Sequence, residues 1–197
     1  MPPASGEEIT RERFTEPELR SELLALRDRD QELRSALIEG PEDEATKQEL
    51  RAFDERATAR AKEFLAEHGW PSVEEVGADA SGALWLLIQH STDPDFLAEA
   101  VPLMEQAAER GDLDRASVAL SVDRVRTNRG ELQLYGTQFH EVDGELVPYP
   151  IEDEARLDER RERMGLPPFE EYRRMLLEVY RRAPKEEEPG PGEGGGR

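Results

Sequence analysis

Ala83-Leu84-Trp85-Leu86-Leu87-Ile88 is apolar nearly all round and leads straight into Gln89-His90. A helix with no polar face belongs inside a protein, so this run predicts a central buried helix with the other elements packed around it. Gln89 and His90 then fall at the edge of the core, where polar side chains need partners.

Moving upstream, Leu50, Phe53, Ala57, Ala61, Phe64 and Leu65 recur at spacings of three and four, which predicts a long amphipathic helix. It stops at His68-Gly69-Trp70-Pro71, where glycine can turn left-handed and proline prevents resumption. Ser72-Val73-Glu74-Glu75 follows with the pattern of a capping box. Further back, Thr15-Glu16-Pro17-Glu18 offers a capping hydroxyl, a first-turn proline and a glutamate, so a first helix starts there. Its apolar stripe is Leu19, Leu23, Leu26, Leu33 and Leu37, and Gly40-Pro41 ends it.

Downstream, Asp93-Pro94 starts a fourth helix, kinked or interrupted at Pro102 and ended by Gly111. A fifth spans 116–129, with Val118, Ala119, Val122 and Val125 inward. The period then changes. Leu132-Gln133-Leu134-Tyr135 alternates, Asp143-Gly144 supplies a turn and Leu146-Val147-Pro148-Tyr149 follows, which predicts a hairpin over 131–149. Pro148 and Pro150 mark its second arm as an edge. Two more helices follow over 154–164 and 169–182. The fold expected is mainly α: about seven helices packed around a central apolar helix, with one small β-hairpin near the C-terminal third. It occupies 15–182 as a single domain. The stretches 1–14 and 183–197 read as disordered tails, the second because it holds glutamate, glycine and proline with nothing to bury.

The composition removes several function classes. The 197 residues carry a formal net charge of −20, a surface that phosphate backbones and anionic lipids repel. Nucleic acid and membrane are therefore not expected partners. A polar small molecule or a peptide is, with a basic protein as the second class. No cysteine is present, which removes disulfides, thiolate nucleophiles and Cys-ligated metal centres. The N-terminus lacks an apolar signal segment, and no stretch has transmembrane character, so cytoplasm is the location expected.

Imidazole chemistry must draw on His68, His90 and His140, the chain's three histidines. His68 and His90 each end a predicted helix, where the partial negative charge of the carbonyl end favours imidazolium and suits a general acid or base. Tyr135-Gly136-Thr137-Gln138 interrupts a strand-like stretch with a phenol, a hydroxyl and an amide beside a glycine that allows close backbone approach. Asp123 can orient a histidine tautomer, and Arg124 can clamp a carboxylate, either a ligand's or that of Glu152 or Asp153. The candidate catalytic residues are thus His68, His90 and Tyr135. Gln89, Asp123, Arg124, Thr137 and Gln138 are candidate ligand-binding residues. His68 and His90 have no close ligand spacing, so no metal is expected, and no cofactor is required. There is no Gly-rich phosphate loop, nucleophile elbow or dinucleotide fingerprint, and Ser91 beside His90 does not make a triad.

The ordered series His68-Gly69-Trp70-Pro71, Gln89-His90, Asp123-Arg124-Val125, Tyr135-Gly136-Thr137-Gln138 and Pro150-Ile151-Glu152-Asp153, with Arg160-Arg161 and Gly165-Leu166 after it, resembles an uncharacterised bacterial domain-of-unknown-function family. The resemblance covers most of the chain. It implies a stand-alone, mainly helical domain and brings no activity with it. Two readings follow. In one, His68, His90, Tyr135 and Gln138 line a small pocket for acid-base chemistry on a polar molecule or peptide. In the other, they form a structural polar network, and the acidic surface or a helical groove binds a protein.

Overall fold

A computed structural model describes residues 14–40 and 43–182; the two expected tails lie outside these except for Phe14. Among the described residues the chain forms eight α-helices and one two-stranded hairpin. α1 (Pro17–Glu39) and α2 (Glu44–His68) come first. Among the described residues ion pairs cross between them, Glu22 with Arg60, Arg29 with Glu49 and Arg34 with Asp54. Glu22 near the start of α1 meets Arg60 in the later part of α2, while Arg29 and Arg34 farther along α1 meet Glu49 and Asp54 nearer the start of α2, so the pair is antiparallel. All six apolar residues of the α2 pattern are buried. On α1, Leu23 and Leu33 are buried, and Leu19, Leu26 and Leu37 pack partly buried beside them.

The start of α1 differs from expectation. Pro17 is its first residue, but no side chain caps it. Thr15 and Glu16 instead donate their backbone N–H groups to the carbonyls of Glu74 and Glu75. The incoming chain is thus tied to a neighbouring turn instead of closing its own capping box.

That turn is α3 (Val73–Val76), and the expected capping box is present in it: Ser72 and Glu75 each accept the other's backbone N–H. Gly77, at φ 83°, then redirects the chain into α4 (Ala78–Gln89). α4 is the central helix, packed against α1, α2, α3 and α5. Its Leu84, Leu87 and Ile88 are at most 2 % exposed.

α5 (Pro94–Arg110) begins at the Asp93 cap and runs through Pro102 without interruption. Pro102 sits on the exposed side, while Phe96, Leu97, Ala100, Met104 and Ala107 bury the other. That packing outweighs the roughly 3 kcal/mol that an internal proline costs. Gly111 turns the chain at φ 84° into α6 (Arg115–Asn128), which packs against α5.

The hairpin comprises β1 (Phe139–Val142) and β2 (Glu145–Pro148), paired antiparallel from Phe139↔Pro148 to Val142↔Glu145. Asp143 and Gly144 both have positive φ, the two-residue geometry that joins twisted strands. The expected first arm is corrected: Leu132-Gln133-Leu134-Tyr135 is not a strand and contributes only an isolated bridge from Gln133 to Ile151. A 3₁₀ turn (Glu154–Arg156), α7 (Leu157–Arg163) and α8 (Phe169–Arg182) complete the chain. α8 covers the hairpin, with the Phe139 ring 6.2 Å from those of both Phe169 and Tyr172.

Candidate functional site

Two carboxylates are completely buried near the expected site residues, Asp123 on α6 and Asp30 on α1. Burying a charge is costly unless bonds replace the lost water, so the partners of each reveal its use.

Asp123 is enclosed by the segment that alternates like a strand. Its carboxylate accepts the backbone N–H of Leu134 at 2.7 Å, of Tyr135 at 3.0 Å and of Thr137 at 2.9 Å, and the Thr137 hydroxyl at 2.9 Å. Successive N–H groups curled around one anion form a nest. They are therefore not available to a strand ladder. The buried Gln133 amide closes the loop from the other side: it accepts from Gln138 N at 2.9 Å and donates to the carbonyls of Gln138 at 3.1 Å and Tyr149 at 2.7 Å. Two arginines of α7 then hold the loop's carbonyls. Arg160 donates to Leu134 O at 2.7 Å, and Arg161 donates to Tyr135 O and, at 2.7 Å, to Pro167 O. Arg161 is completely buried beneath the Tyr172 ring, at 4.8 Å. The Tyr135 peptide thus points its N–H toward a carboxylate and its carbonyl toward a guanidinium.

Within this loop Gly136 has φ 65°, and a Cβ there would stand 2.8 Å from the Phe169 ring. Its role is close packing. Gln138 donates to Thr137 Oγ1 at 3.1 Å. The Tyr135 phenol is pushed up by burial and by the charges of Asp123 and Glu105, so it stays protonated. Gln89 is likewise occupied, donating to Ser121 Oγ at 2.7 Å, an oxygen that also accepts from Trp85 Nε1 at 3.0 Å.

Asp30 lies at the position where the leucine stripe of α1 skips a turn between Leu26 and Leu33. Both its oxygens approach Nδ1 of His90, at 2.9 and 3.0 Å. Arg34 Nε is 3.0 Å from Oδ1, and Gln31 Nε2 is 2.8 Å from Oδ2. Arg34 Nε also stands 2.9 Å from His90 Nδ1. The carboxylate between them assigns both nitrogens as donors, so the His90 proton sits on Nδ1 and Nε2 is left open. Arg34 reaches on to Asp54 of α2 at 2.8 Å. Burial, the largest influence, pushes the Asp30 carboxyl up, but the hydrogen bonds and charges of His90, Gln31 and Arg34 together hold it below the usual range. Asp54 is raised, because burial outweighs its bond to Arg34 and Asp30 adds repulsion. The His90 side chain keeps 22 % of its surface exposed and that of Arg34 27 %.

Arg124 belongs to this second group. It is one turn beyond Ser121, which bonds Gln89, the residue before His90. By area it is exposed, yet the surrounding protein and then the charge of Arg34 lower its guanidinium from the ordinary value. It makes no ion pair among the described residues. Glu152 is paired with Arg126 at 2.7 Å, and Asp153 with Arg156 at 2.6 Å. The expected Arg124 clamp on either acid is therefore corrected: those carboxylates are taken by nearer arginines.

His68 stands apart. It ends α2, exposed, stacked on Phe64 at 5.1 Å, and lines a cleft of about 320 Å³ with Glu16, Glu18, Leu19 and Glu75. Glu18 precedes Asp30 by twelve residues of one helix, about 18 Å. His68 is thus set apart from His90, and no hydrogen bond or ring contact joins either of them to Tyr135 among the described residues. The third histidine, His140, packs its ring at a tilt against that of Tyr149, with centroids 4.2 Å apart. Ser91 is engaged with Thr58 at 3.0 Å and with the Asp93 N–H at 3.0 Å.

Sequence reasoning assigned the task of orienting a histidine to Asp123; Asp30 performs it, sixty residues from His90. Asp30, Arg34 and Asp54 were missed. The one signal for Asp30 was the gap in its leucine stripe.

A sequence model of a family of unknown function, DUF6624, matches residues 17–185, and the chain belongs to that family. The comparisons with curated proteins and with solved structures gave no match.

Proposed function

We propose that the protein binds a polar small molecule or a short peptide beside His90 and carries out acid-base chemistry on it. The observation behind this reading is the clamp of a wholly buried carboxylate on Nδ1. Such a carboxylate fixes the ring's orientation and tautomer and stabilises the imidazolium once Nε2 takes a proton. Nε2 then serves as the base in one direction and the acid in the other. A leucine at position 30 would complete the apolar stripe; the aspartate sacrifices that packing to hold a histidine at the edge of the core.

A thermal-shift screen of the full chain against metabolites and short peptides tests the reading, with His90→Ala beside wild type. A ligand of the native state raises the melting temperature by linkage, by an amount set by its concentration relative to Kd. A shift present in wild type and lost in a folded His90→Ala variant supports the site. A shift equal in both removes it.

One observation favours the second reading, a protein-interaction module. Met175 and Val179, one turn apart on α8, are 49 % and 67 % exposed, and Val142 of the hairpin is 44 % exposed. A basic protein, which the net charge of −20 favours, is the partner class for that case.

A further inference from the structure

Around the buried Asp30 carboxylate stand two partly exposed groups, His90 and Arg34, and a third cation, Arg124, lies on the helix bonded to the end of α4. His90 caps α4 with Nδ1 committed to Asp30, and its Nε2 has no partner among the described residues. Arg34 of α1 commits Nε to Asp30 and Nη2 to Asp54, and its Nη1 has no partner among the described residues. Arg124 of α6 is set beside them by the 2.7 Å bond from Gln89 to Ser121, since residues three apart on a helix share a face. None of its five donors is used among the described residues. An arginine on an acidic surface ordinarily takes a carboxylate; this one has its affinity for the proton lowered, first by burial and then by the charge of Arg34. Asp30 and Asp54, the carboxylates of this cluster, are bonded to Arg34.

We propose that the ligand at this site carries an anionic group, a carboxylate or a phosphate, held between the guanidinium groups of Arg34 and Arg124 beside Nε2 of His90. The proposal rests on the acid-base reading of His90 and narrows its substrate to anions. Planar forks of N–H donors match either oxyanion, and a bound anion relieves the repulsion between the two arginines. A proton leaving or joining the ligand next to that group is then within reach of Nε2.

The test uses the ¹⁵N-labelled full chain titrated with sodium phosphate, and separately with sodium acetate, against sodium chloride at matched ionic strength. The arginine Nε–H and imidazole signals are followed. Saturable movement of the Arg34, Arg124 and His90 signals together, with at least about tenfold weaker binding in Arg124→Met, is the expected result. Saturation by phosphate alone or by acetate alone assigns the anion. Arg56→Met removes an exposed arginine elsewhere on α2 that makes no ion pair among the described residues, as the control for net charge. Equal movement in chloride, or equal weakening in Arg56→Met, overturns the proposal, because the effect is then general screening. The same spectra keep the two failures apart. If no anion saturates while the Nδ1 proton stays in place, only the anion site falls; if the neutral ring carries its proton on Nε2, the acid-base reading falls.

Discussion

Asp30 and Asp123 are both shut off from water, yet their surroundings differ in kind. Asp123 is met by three backbone N–H groups and a hydroxyl, all from residues 134–137. Such partners cannot change protonation at ordinary pH, and each is itself tied into a packed loop. Asp30 is met by an imidazole, a guanidinium and a side-chain amide, and the first two present further polar atoms to the surface. One buried charge is consumed in building the fold; the other passes its influence outward. Burial and hydrogen-bond count do not separate scaffold from site here. The identity of the partners, and whether their remaining valences are open, does.

The most severe way to break this contrast is Asp123→Ala. It leaves three buried N–H groups and a hydroxyl without an acceptor, at about 1–3 kcal/mol for each unsatisfied group. A loss on the order of 4 kcal/mol or more in urea unfolding is expected, with the variant partly unfolded at 37 °C. A loss under about 1 kcal/mol would mean that the loop does not depend on its carboxylate. Gly136→Ala attacks the same loop by geometry: φ 65° disfavours any side chain, and the new methyl meets the Phe169 ring. It should cost about 2 kcal/mol and shift the near-ultraviolet signal of the aromatic cluster. Neither change should alter ligand binding at His90 in whatever fraction remains folded.

Asp30→Asn tests the other member. Loss of charge-assisted bonds to His90 and Arg34 should cost about 2 kcal/mol at pH 7. The cost depends on pH with a definite sign. The native Asp30 carboxyl is held below its ordinary range, so its contribution is complete above the unfolded value near 4 and disappears as pH falls through the lower native value. Asp54 acts in the opposite direction. Its raised carboxyl adds stability when protonated, and that contribution is lost as pH rises through the native value. Wild type and Asp30→Asn should therefore converge in stability only at strongly acid pH. Convergence already at pH 5 would show that Asp30 is not the charged member of the pair.

How far the sequence reveals this contrast follows from the range of the forces involved. The helices are legible because burial imposes a local period, as in the six apolar residues of α2, all buried. The caps at Ser72 and Asp93 are legible because donor and acceptor lie within four residues. Leu132 to Tyr135 misleads for the converse reason. Alternation is a local pattern, and the acceptor that captures the Leu134 and Tyr135 N–H groups lies eleven and twelve residues away on a helix. Asp30 and His90 are further apart still, at sixty residues. Their pairing depends on α1 and α4 packing side by side, and only the missing leucine in the α1 stripe hints at it. His90, Gln89 and Asp123 were identifiable as polar residues needing partners, but which partner each would find was not.

The smallest expected effect sharpens the comparison most. Arg124→Met removes a guanidinium that supports no described ion pair and stands near the like charge of Arg34. Its loss should leave stability within about 0.5 kcal/mol of wild type, as for surface changes that break no bond. A slight gain is the expected sign, because a repulsion is relieved. A structural residue cannot behave in this way: Asp123 and Gly136 have nothing to lose but stability. If Arg124→Met proves neutral in unfolding yet weakens oxyanion binding tenfold, the arginine is retained at no benefit to the fold. If it destabilises by 2 kcal/mol or more, Arg124 belongs with Asp123 among the groups that the fold consumes. The open cluster around Asp30 then shrinks to His90 and Arg34.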